Sequence, residues 1–426
     1  MNLALRCLSA LLVGGSTLIA ADITAFTGAR IIDGTTRPPI DSGVIVVRDG
    51  RIEAVGPSAA VRPPKGARIV DLKGKTVTPG FHATHVHISD VRGIQPPAYT
   101  AENTERQLGV YARYGITTLW SLGGEQAPAF EARSRNADPS VTRSRLYVSG
   151  EIITGDTPDA ARAMVAKVAA TKPDIIKIRV DDMLGAAKKM PPAVYKAIID
   201  EAHRRGLRVT AHIYYLEDAK DLLRSGVDML AHSVRDREID EEFVSLMKAR
   251  NVPFCPTLTR EISAFAYETT PSFFDDPFFQ READPQVVAQ LKEPARQQAM
   301  RESRAAQTYK KALEVAKRNL AKAAQAGLFI VMGTDSGAGA NRFQGYFEHM
   351  EMELMAEAGM TPQHVIRSAT ADAARAMKLA DSGVISRGAW ADLNVFDRDP
   401  SADIRNTRTL HSVWIAGREV PRNGAR

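Results

Sequence analysis

The stretch Val77-Thr-Pro-Gly-Phe-His-Ala-Thr-His85-Val-His87 decides how this chain is interpreted. A β-prone run contains the turn-forming pair Pro79-Gly80 and then places two histidines two residues apart. Residues i and i+2 of a β-strand face the same side, so His85 and His87 can direct both imidazoles at one metal ion. The alternative is a chance pair on a loop, so the remaining ligands must come from elsewhere in the chain.

The middle of the chain alternates β-prone and helix-prone segments, a pattern typical of a parallel sheet with helical connections. The candidate strands are Val77–His87, Thr117–Ser121, Leu146–Gly150, Ile175–Arg179, Arg208–His212, Met229–His232, Val252–Leu258 and Phe329–Asp335. Eight strands is the number in a TIM (β/α)8 barrel. The sequence therefore predicts an α/β fold with a barrel over residues 77–382.

Both ends of the mature chain are rich in β-formers. The Asp49-Gly50 pair between Val44–Arg48 and Arg51–Val55 predicts a hairpin with a two-residue turn. Similar β-prone runs occupy residues 392–396 and 410–420. We expect residues 22–76 and 383–426 to form one small composite β-sandwich domain.

Residues 1–21 have the composition of a secretory signal. Arg6 supplies a positive end, Cys7–Ile19 is an apolar run too short to span a bilayer comfortably, and Ala20-Ala21 offers small residues for cleavage. An uncleaved anchor is the alternative. Cleavage would leave Cys255 as the single cysteine, without a partner for an intramolecular disulfide. We expect a secreted or periplasmic protein that is free of the membrane after cleavage.

The positive charge of the chain is small and dispersed. Fifty-six Lys and Arg residues against 50 Asp and Glu residues give a net charge of +6. Because no block of basic residues contains interleaved aromatic residues, we expect no nucleic-acid partner. A small-molecule substrate is the expected partner, and the sequence leaves a homo-oligomer open.

Residues 264–321 are long for a connection between two barrel elements. The early part is aromatic, and the later part has a charged helical pattern. The segment is interpreted either as a lid over the barrel mouth or as a helical excursion packed on the outside of the barrel.

Polar residues stand at the ends of five predicted strands, where barrels of this kind place their catalytic groups. They are His85, His87, Lys177, His212, His232 and Asp335. Each one alone has a structural interpretation; Asp335, for example, could cap a helix. Their joint placement favours one shared site. The remaining histidines considered, which we expect to be structural, are His82, His203 and His349.

Several short motifs surround these residues. They are Pro79-Gly80-Phe81 before His85-Val-His87, Ile176-Lys177-Ile178, Ala211-His212-Ile-Tyr, Ala231-His232-Ser and Gly333-Thr-Asp335-Ser-Gly. Together they resemble the amidohydrolase superfamily, which comprises metal-dependent hydrolases on a TIM barrel with a small composite β-domain. The nearest resemblance is to the branch of imidazolonepropionase-like proteins and Xaa-Pro or Xaa-Arg dipeptidases.

The resemblance implies two divalent metal ions. The implied ligands are His85, His87 and Asp335 for one ion, and His212 and His232 for the other. Lys177, N6-carboxylated by carbon dioxide, would bridge both ions, because a desolvated lysine loses its proton more readily than an exposed one. Zinc suits these nitrogen and oxygen ligands, although the sequence does not fix the metal.

The implied reaction is hydrolysis of an amide C–N bond in dipeptides or N-acyl amino acids. A hydroxide between the two metals would attack the carbonyl carbon, with Asp335 as general acid and base. Tyr214 or Tyr215 could donate a hydrogen bond to the substrate or simply pack. Arg179, on the same strand face as Lys177, could bind a substrate carboxylate or pair with a neighbouring aspartate.

Two residues depart from the family pattern. Arg179 stands where the dipeptidase branch tends to have small residues, and Ala83 stands where the family often has aspartate. The rival enzyme is a mononuclear deaminase or a cyclic-amide or lactone hydrolase; a deaminase would need a nearby glutamate, for which Glu217 is the candidate. A secreted binding protein without catalytic activity is the alternative from another class.

Overall fold

A computed structural model describes residues 23–422, so the predicted signal segment lies outside the described part of the chain. Within that part, no helix is both long enough and apolar enough to cross a membrane. The strands divide into one mixed sheet built from the chain ends and one set of parallel strands from the middle.

The mixed sheet combines eight strands from both ends of the described chain. They are β1 (Ile23–Ile31), β2 (Ile40–Arg48), β3 (Arg51–Pro57), β4 (Arg68–Asp71), β5 (Thr76–Pro79), β13 (Leu393–Phe396), β14 (Leu410–Ile415) and β15 (Arg418–Glu419). Their order is β15-β14-β13-β5-β1-β2-β3, with β4 also paired to β1. The sheet is therefore composite, in agreement with the β-rich ends, while its arrangement as a sandwich stays a prediction.

The predicted hairpin near the N-terminus is confirmed. Strands β2 and β3 pair in antiparallel orientation with Arg48 opposite Arg51. The two turn residues have positive φ, 48° at Asp49 and 81° at Gly50. Such a turn twists in the same sense as the strands it joins, and Asp-Gly is among the pairs that adopt it most readily.

The single strand predicted over Val77–His87 is wrong. The structure divides it into β5, which belongs to the mixed sheet, and β6 (Phe81–Val86), which belongs to the parallel set. Gly80 separates them where the backbone passes close to Thr117, since a Cβ at Gly80 would lie 2.2 Å from the Thr117 Oγ1. The chain therefore crosses between the two sheets at the Pro-Gly pair.

Seven parallel strands within the described residues surround the candidate site. They are β6, β7 (Ile116–Ser121), β8 (Arg145–Val148), β9 (Ile176–Arg179), β10 (Val209–His212), β11 (Met229–Ala231) and β12 (Phe254–Cys255). They form two parallel sheets, β6-β7-β8 and β9-β10-β11-β12.

The predicted eighth strand, Phe329–Asp335, is present as bridges and not as a regular strand. Ile330 bridges to β12 and Ser336 bridges to β6, while Ile153, just beyond β8, bridges to β9. Asp335 has φ 64°, which ends the extended conformation that regular pairing requires. These bridges close the parallel strands into a TIM-barrel-like α/β fold.

The helices connect the strands and cover the ring. The first seven are α1 (Ala101–Arg113), α2 (Ala127–Ser134), α3 (Pro158–Ala169), α4 (Pro192–Arg204), α5 (Leu216–Ser225), α6 (Glu241–Arg250) and α7 (Leu258–Ile262). The others are α8 (Pro277–Gln280), α9 (Pro285–Leu291), α10 (Pro294–Glu302), α11 (Arg304–Gln325), α12 (Tyr346–Glu357), α13 (Pro362–Ser368) and α14 (Ala371–Met377). Their ends follow local chemistry: the Asp240 side chain caps α6 by accepting from the Phe243 N–H.

The aromatic part of the long 264–321 segment packs against residues 341–346, which follow the predicted eighth strand. Phe279 lies 4.8 Å from Phe343 and 5.1 Å from Tyr346 between ring centroids, and Tyr267 donates a hydrogen bond to the Asn341 carbonyl. Its aromatic residues are therefore largely buried packing groups at the edge of the ring. Movement of the segment as a lid stays a prediction.

Candidate metal centre

Four of the predicted ligands form one connected group. The Nε2 of His87 lies 2.8 Å from the Asp335 Oδ1, and the Nε2 of His85 lies 3.2 Å from the same oxygen. The Lys177 Nζ lies 3.2 Å from the same Nε2 atom of His85. Segments far apart in sequence therefore bring two imidazoles, a carboxylate and an amine together inside the ring.

The other two predicted ligands lie beside this group. The rings of His212 and His232 are 3.9 Å apart between centroids, and the His232 ring is 4.6 Å from that of His85. Ligand atoms of His85, His232 and Asp335 all lie within 4.8 Å of one another, a spacing that one metal ion can span. All six predicted ligands thus converge on one region.

Two histidine nitrogen atoms without hydrogen bonds indicate that this group of side chains can bind a metal ion. The Nε2 atoms of His212 and His232 are buried and have no hydrogen-bond partner among residues 23–422. Buried polar atoms are rarely left without a partner, because losing hydration without replacement costs free energy. Two converging imidazole nitrogens without partners are suitable ligands for a divalent cation.

Burial keeps the imidazoles in the form that binds metal. Burial, and then the nearby Lys177, lower the pKa of His85 to about 3 and hold the pKa of His212 well below its usual value. Burial and the neighbouring His212 have the same effect on the pKa of His232. A neutral imidazole keeps the lone pair that a metal needs.

Asp335 and Lys177 have pKa shifts that suit their implied roles. Burial would raise the pKa of Asp335, but Arg342 and the hydrogen bonds from His85 and His87 outweigh it and hold that pKa well below its usual value. The Arg342 guanidinium contacts Asp335 Oδ2 directly. Burial lowers the pKa of Lys177 to about 8, which increases the share of neutral amine.

Contacts behind two histidines fix their orientation. The His232 Nδ1 lies 2.6 Å from the hydroxyl of Thr257, and the His87 Nδ1 lies 3.3 Å from the Gly123 carbonyl. Partners of this kind select the tautomer and hold the ring of a metal-binding histidine.

The three histidines expected to be structural have partners away from the centre. His82 contacts the Ser382 hydroxyl at 2.6 Å, His203 contacts Asp228 at 2.8 Å, and His349 donates to the Tyr114 carbonyl at 2.8 Å.

The two tyrosines predicted to contact substrate have different surroundings. The hydroxyl of Tyr215 donates to Asp182 Oδ1 at 2.9 Å. The hydroxyl of Tyr214 makes no hydrogen bond with any residue of the described chain, and its ring lies 4.7 Å from the Arg235 guanidinium carbon. Tyr214 is therefore the tyrosine whose hydroxyl is free to serve a ligand.

Arg179 lies in register with His212 on the neighbouring strand. Its side chain forms no hydrogen bond or direct ion pair with another residue between 23 and 422. Burial raises the pKa of Asp181, and the charge of Arg179 helps to lower that pKa against this larger opposing effect. Asp181 is buried, with its Oδ1 3.3 Å from the Nε2 of His212. This carboxylate was not among the predicted site residues, although the even spacing of positions 177, 179 and 181 was an available signal.

Comparison with known proteins agrees with this geometry. The model of the amidohydrolase family matches residues 76–420. An enamidase of Eubacterium barkeri is 26% identical over 222 residues, which cover 48% of this chain and 54% of the enamidase. The match therefore spans about half the length of that curated relative.

Two solved structures share the fold over almost the whole chain. An Xaa-Pro dipeptidase with methionine bound in its active site has a TM-score of 0.75 and 21% identity, covering 93% of this chain and 99% of the dipeptidase. Molinate hydrolase has a TM-score of 0.74 and 21% identity, covering 95% of this chain and 96% of the hydrolase. At this identity the two structures establish the fold alone. The family match over residues 76–420 shows that the chain belongs to the amidohydrolase family, whose members use divalent metal ions to hydrolyse C–N bonds.

Proposed function

We propose that this protein is a binuclear metal-dependent amide hydrolase acting on dipeptides or N-acyl amino acids. The observation that carries the proposal is the burial of the Lys177 amine among the histidines, 3.2 Å from the Nε2 of His85. A lysine in this position is of use to a metal centre only after it has become an anionic ligand. Export through residues 1–21 belongs to the same proposal.

The proposed ligands divide as the family resemblance implies. They are His85, His87 and Asp335 for one ion, His212 and His232 for the other, and N6-carboxylated Lys177 for both. Their neutral nitrogen atoms and anionic oxygen atoms are donors that zinc accepts. Two bound ions would polarise the scissile carbonyl and lower the pKa of a water molecule.

The side chains of the chain itself move the proton and orient the substrate. Asp335 accepts a proton from the attacking water and delivers it to the departing amine. The hydroxyl of Tyr214 donates a hydrogen bond to the carbonyl oxygen, on which negative charge develops. Arg179, at the end of strand β9, supplies a positive charge for a polar end of the substrate.

The surroundings of Glu217 argue against a deaminase. This glutamate would have to reach the site as a proton shuttle, yet its side chain is exposed and lies 3.5 Å from the Lys220 amine in the first turns of α5.

Metal analysis combined with a substrate panel tests the proposal. We expect wild-type protein to hold about two zinc ions per chain and to hydrolyse members of a panel of dipeptides, N-acyl amino acids, lactones and cyclic imides. Lys177→Ala should lose at least one of the two ions and all hydrolysis, while the exposed lysine variant Lys167→Ala should retain both ions and activity. A single ion per active chain, or an active Lys177→Ala, would contradict the binuclear mechanism.

A further inference from the structure

A cavity of about 300 Å³ adjoins the candidate metal centre. It lies between the loop after β6, helix α1, the aromatic part of the 264–321 segment and the loop that follows Asp335. Arg342 lines the cavity and also contacts Asp335. Gly337 lines it as well, and a Cβ there would lie 2.1 Å from the His87 carbonyl oxygen. Two lining residues, Arg342 and Gly337, thus lie directly against the proposed metal ligands Asp335 and His87. The volume of the cavity is at the lower end of the range for small-molecule sites.

Two guanidinium groups in the lining of this cavity have no carboxylate partner. Arg106 bonds to the amide oxygen of Asn103 through Nε and Nη2, at 3.1 and 2.9 Å. Arg92 forms no side-chain hydrogen bond or ion pair with any residue that the structure describes. Both arginines are also exposed to solvent. Partial burial, followed by the nearby Arg92, lowers the pKa of Arg106, as expected where two cations lie close together.

The acidic residues of the lining do not balance these charges. Glu282 is held by Arg113 through two hydrogen bonds, at 2.6 and 2.8 Å. Asp284 caps α9 by accepting from the Gln286 N–H at 2.8 Å. Since Arg342 pairs with Asp335, Asp284 is the single acidic group left facing Arg92 and Arg106. The cavity therefore has an excess positive charge.

One wall of the cavity is aromatic. Phe279 and Phe343 line it with their rings 4.8 Å apart, and Tyr346 continues the wall. A ligand that fits this lining combines an anionic group with an apolar side chain.

We propose that this cavity binds the amino acid on the leaving side of the scissile amide, with Arg92 and Arg106 contacting its carboxylate and the aromatic wall contacting its side chain. The inference rests on the proposed function, in which Asp335 protonates the leaving amine. The amine must then lie next to Asp335, and the cavity begins at the arginine that contacts Asp335. The leaving amino acid is placed here and not beside Arg179, which lies on strand β9.

Kinetics with matched acidic and neutral substrates test this assignment. N-acetyl amino acids carry the carboxylate, and the corresponding N-acetyl amino acid amides lack it. We expect Arg92→Ala and Arg106→Ala to raise KM for the acids about tenfold or more, with KM for the amides and kcat nearly unchanged. Arg62→Ala, an exposed arginine outside the ring, is the control. Loss of acid preference in Arg179→Ala, with cavity variants that behave like Arg62→Ala, would overturn the assignment.

Binding measurements separate this inference from the proposed reaction. Calorimetry with wild-type protein should show about tenfold tighter binding of phenylalanine than of phenylalaninamide, and the preference should disappear in Arg92→Ala and Arg106→Ala. The same preference without hydrolysis of any substrate would overturn the proposed reaction but support the cavity. Equal binding of acids and amides across aromatic and aliphatic amino acids would overturn the cavity assignment.

Discussion

The two halves of the candidate metal centre are held by the protein in different ways. In the half formed by His85, His87 and Asp335, both imidazoles contact the carboxylate, and Arg342 contacts its other oxygen. In the half formed by His212 and His232, neither Nε2 atom has a hydrogen-bond partner within residues 23–422, and the closest carboxylate oxygen is the Asp181 Oδ1, 3.3 Å from His212. The first half includes its own anion. The carboxylate nearest to the second half is Asp181, whose pKa burial raises, so it holds its charge less readily than Asp335. We therefore expect the carboxylated Lys177 to supply most of the negative charge of the second half.

The largest effect is expected where the first half performs acid and base chemistry. Asp335→Asn preserves the shape of the side chain but cannot carry a proton between water and the leaving amine. We expect kcat to fall by about 10²–10⁴-fold, the usual contribution of general acid–base catalysis, when measured with saturating zinc.

The exposed variant Asp159→Asn serves as the control for this measurement. A loss of less than tenfold in Asp335→Asn would assign the proton transfer to another group, with the buried Asp181 as the next candidate.

Removing one ligand from each half should show which half binds metal more tightly. We expect His212→Ala to keep about one ion per chain, because the half that contains Asp335 retains its own negative charge. His87→Ala should weaken the tighter of the two binding steps. Zinc titration followed by elemental analysis measures both, and equal losses in the two variants would show that the halves do not differ.

A smaller effect on metal affinity is expected from removing the hydroxyl group that orients His232. Thr257→Val removes the hydroxyl 2.6 Å from the His232 Nδ1 while preserving the size of the side chain. We expect metal affinity at the second half to fall about 10–100-fold, with activity restored by excess zinc. Thr308→Val, at a half-buried position of α11, is the control. Activity that stays low at saturating zinc would show that Thr257 acts on something other than metal binding.

The sequence was sufficient to predict the barrel-like fold and the convergence of the six proposed ligands for one physical reason. Parallel strands end at a common edge, so polar residues at strand ends, such as His212 and His232, are brought together whatever the connections do. The composite sheet was predictable in the same way from the Asp49-Gly50 turn and the β-prone C-terminal runs. Local sequence patterns of this kind predict structure even when the path of the chain in three dimensions is unknown.

The features that were missed depend on that path. The break at Gly80 follows from the approach of Thr117. The eighth segment pairs only through isolated bridges and ends at the left-handed backbone of Asp335. Arg342 reaches Asp335 from the loop that follows, and Asp181 turns toward His212 after β9 has ended. A periodicity cannot reveal contacts made by loops.

Helix α12 supports both halves of the centre through two buried carboxylates one turn apart. Glu348 accepts hydrogen bonds from the hydroxyls of Thr334 and Ser336, at 2.5 and 2.6 Å, on either side of Asp335. Glu351 accepts from the backbone N–H groups of Leu258 and Thr259, at 2.7 Å each, just after the Thr257 that contacts His232. Glu348 therefore supports the half of the centre that contains Asp335, and Glu351 supports the half that contains His232.

The smallest expected effect concerns stability at the second support. Burial raises the pKa of Glu351 to about 7, so the protonated form is favoured in the folded protein. Between the unfolded pKa, near 4.5, and about 7, the folded state binds more protons, and stability falls as pH rises. The contribution should level off above pH 7. Relative to Glu351→Gln, the wild-type protein should lose about 1–3 kcal/mol of unfolding free energy between pH 5 and pH 7.5.

Urea unfolding of the metal-free proteins at the two pH values measures this difference. Glu357→Gln, on the exposed face of the same helix, should follow the wild type at both pH values. If the difference between wild type and Glu351→Gln does not change with pH, Glu351 titrates at its ordinary pKa. The loop after β12 would then be held by a carboxylate that is already largely charged at pH 5, unlike Glu348, whose pKa burial raises.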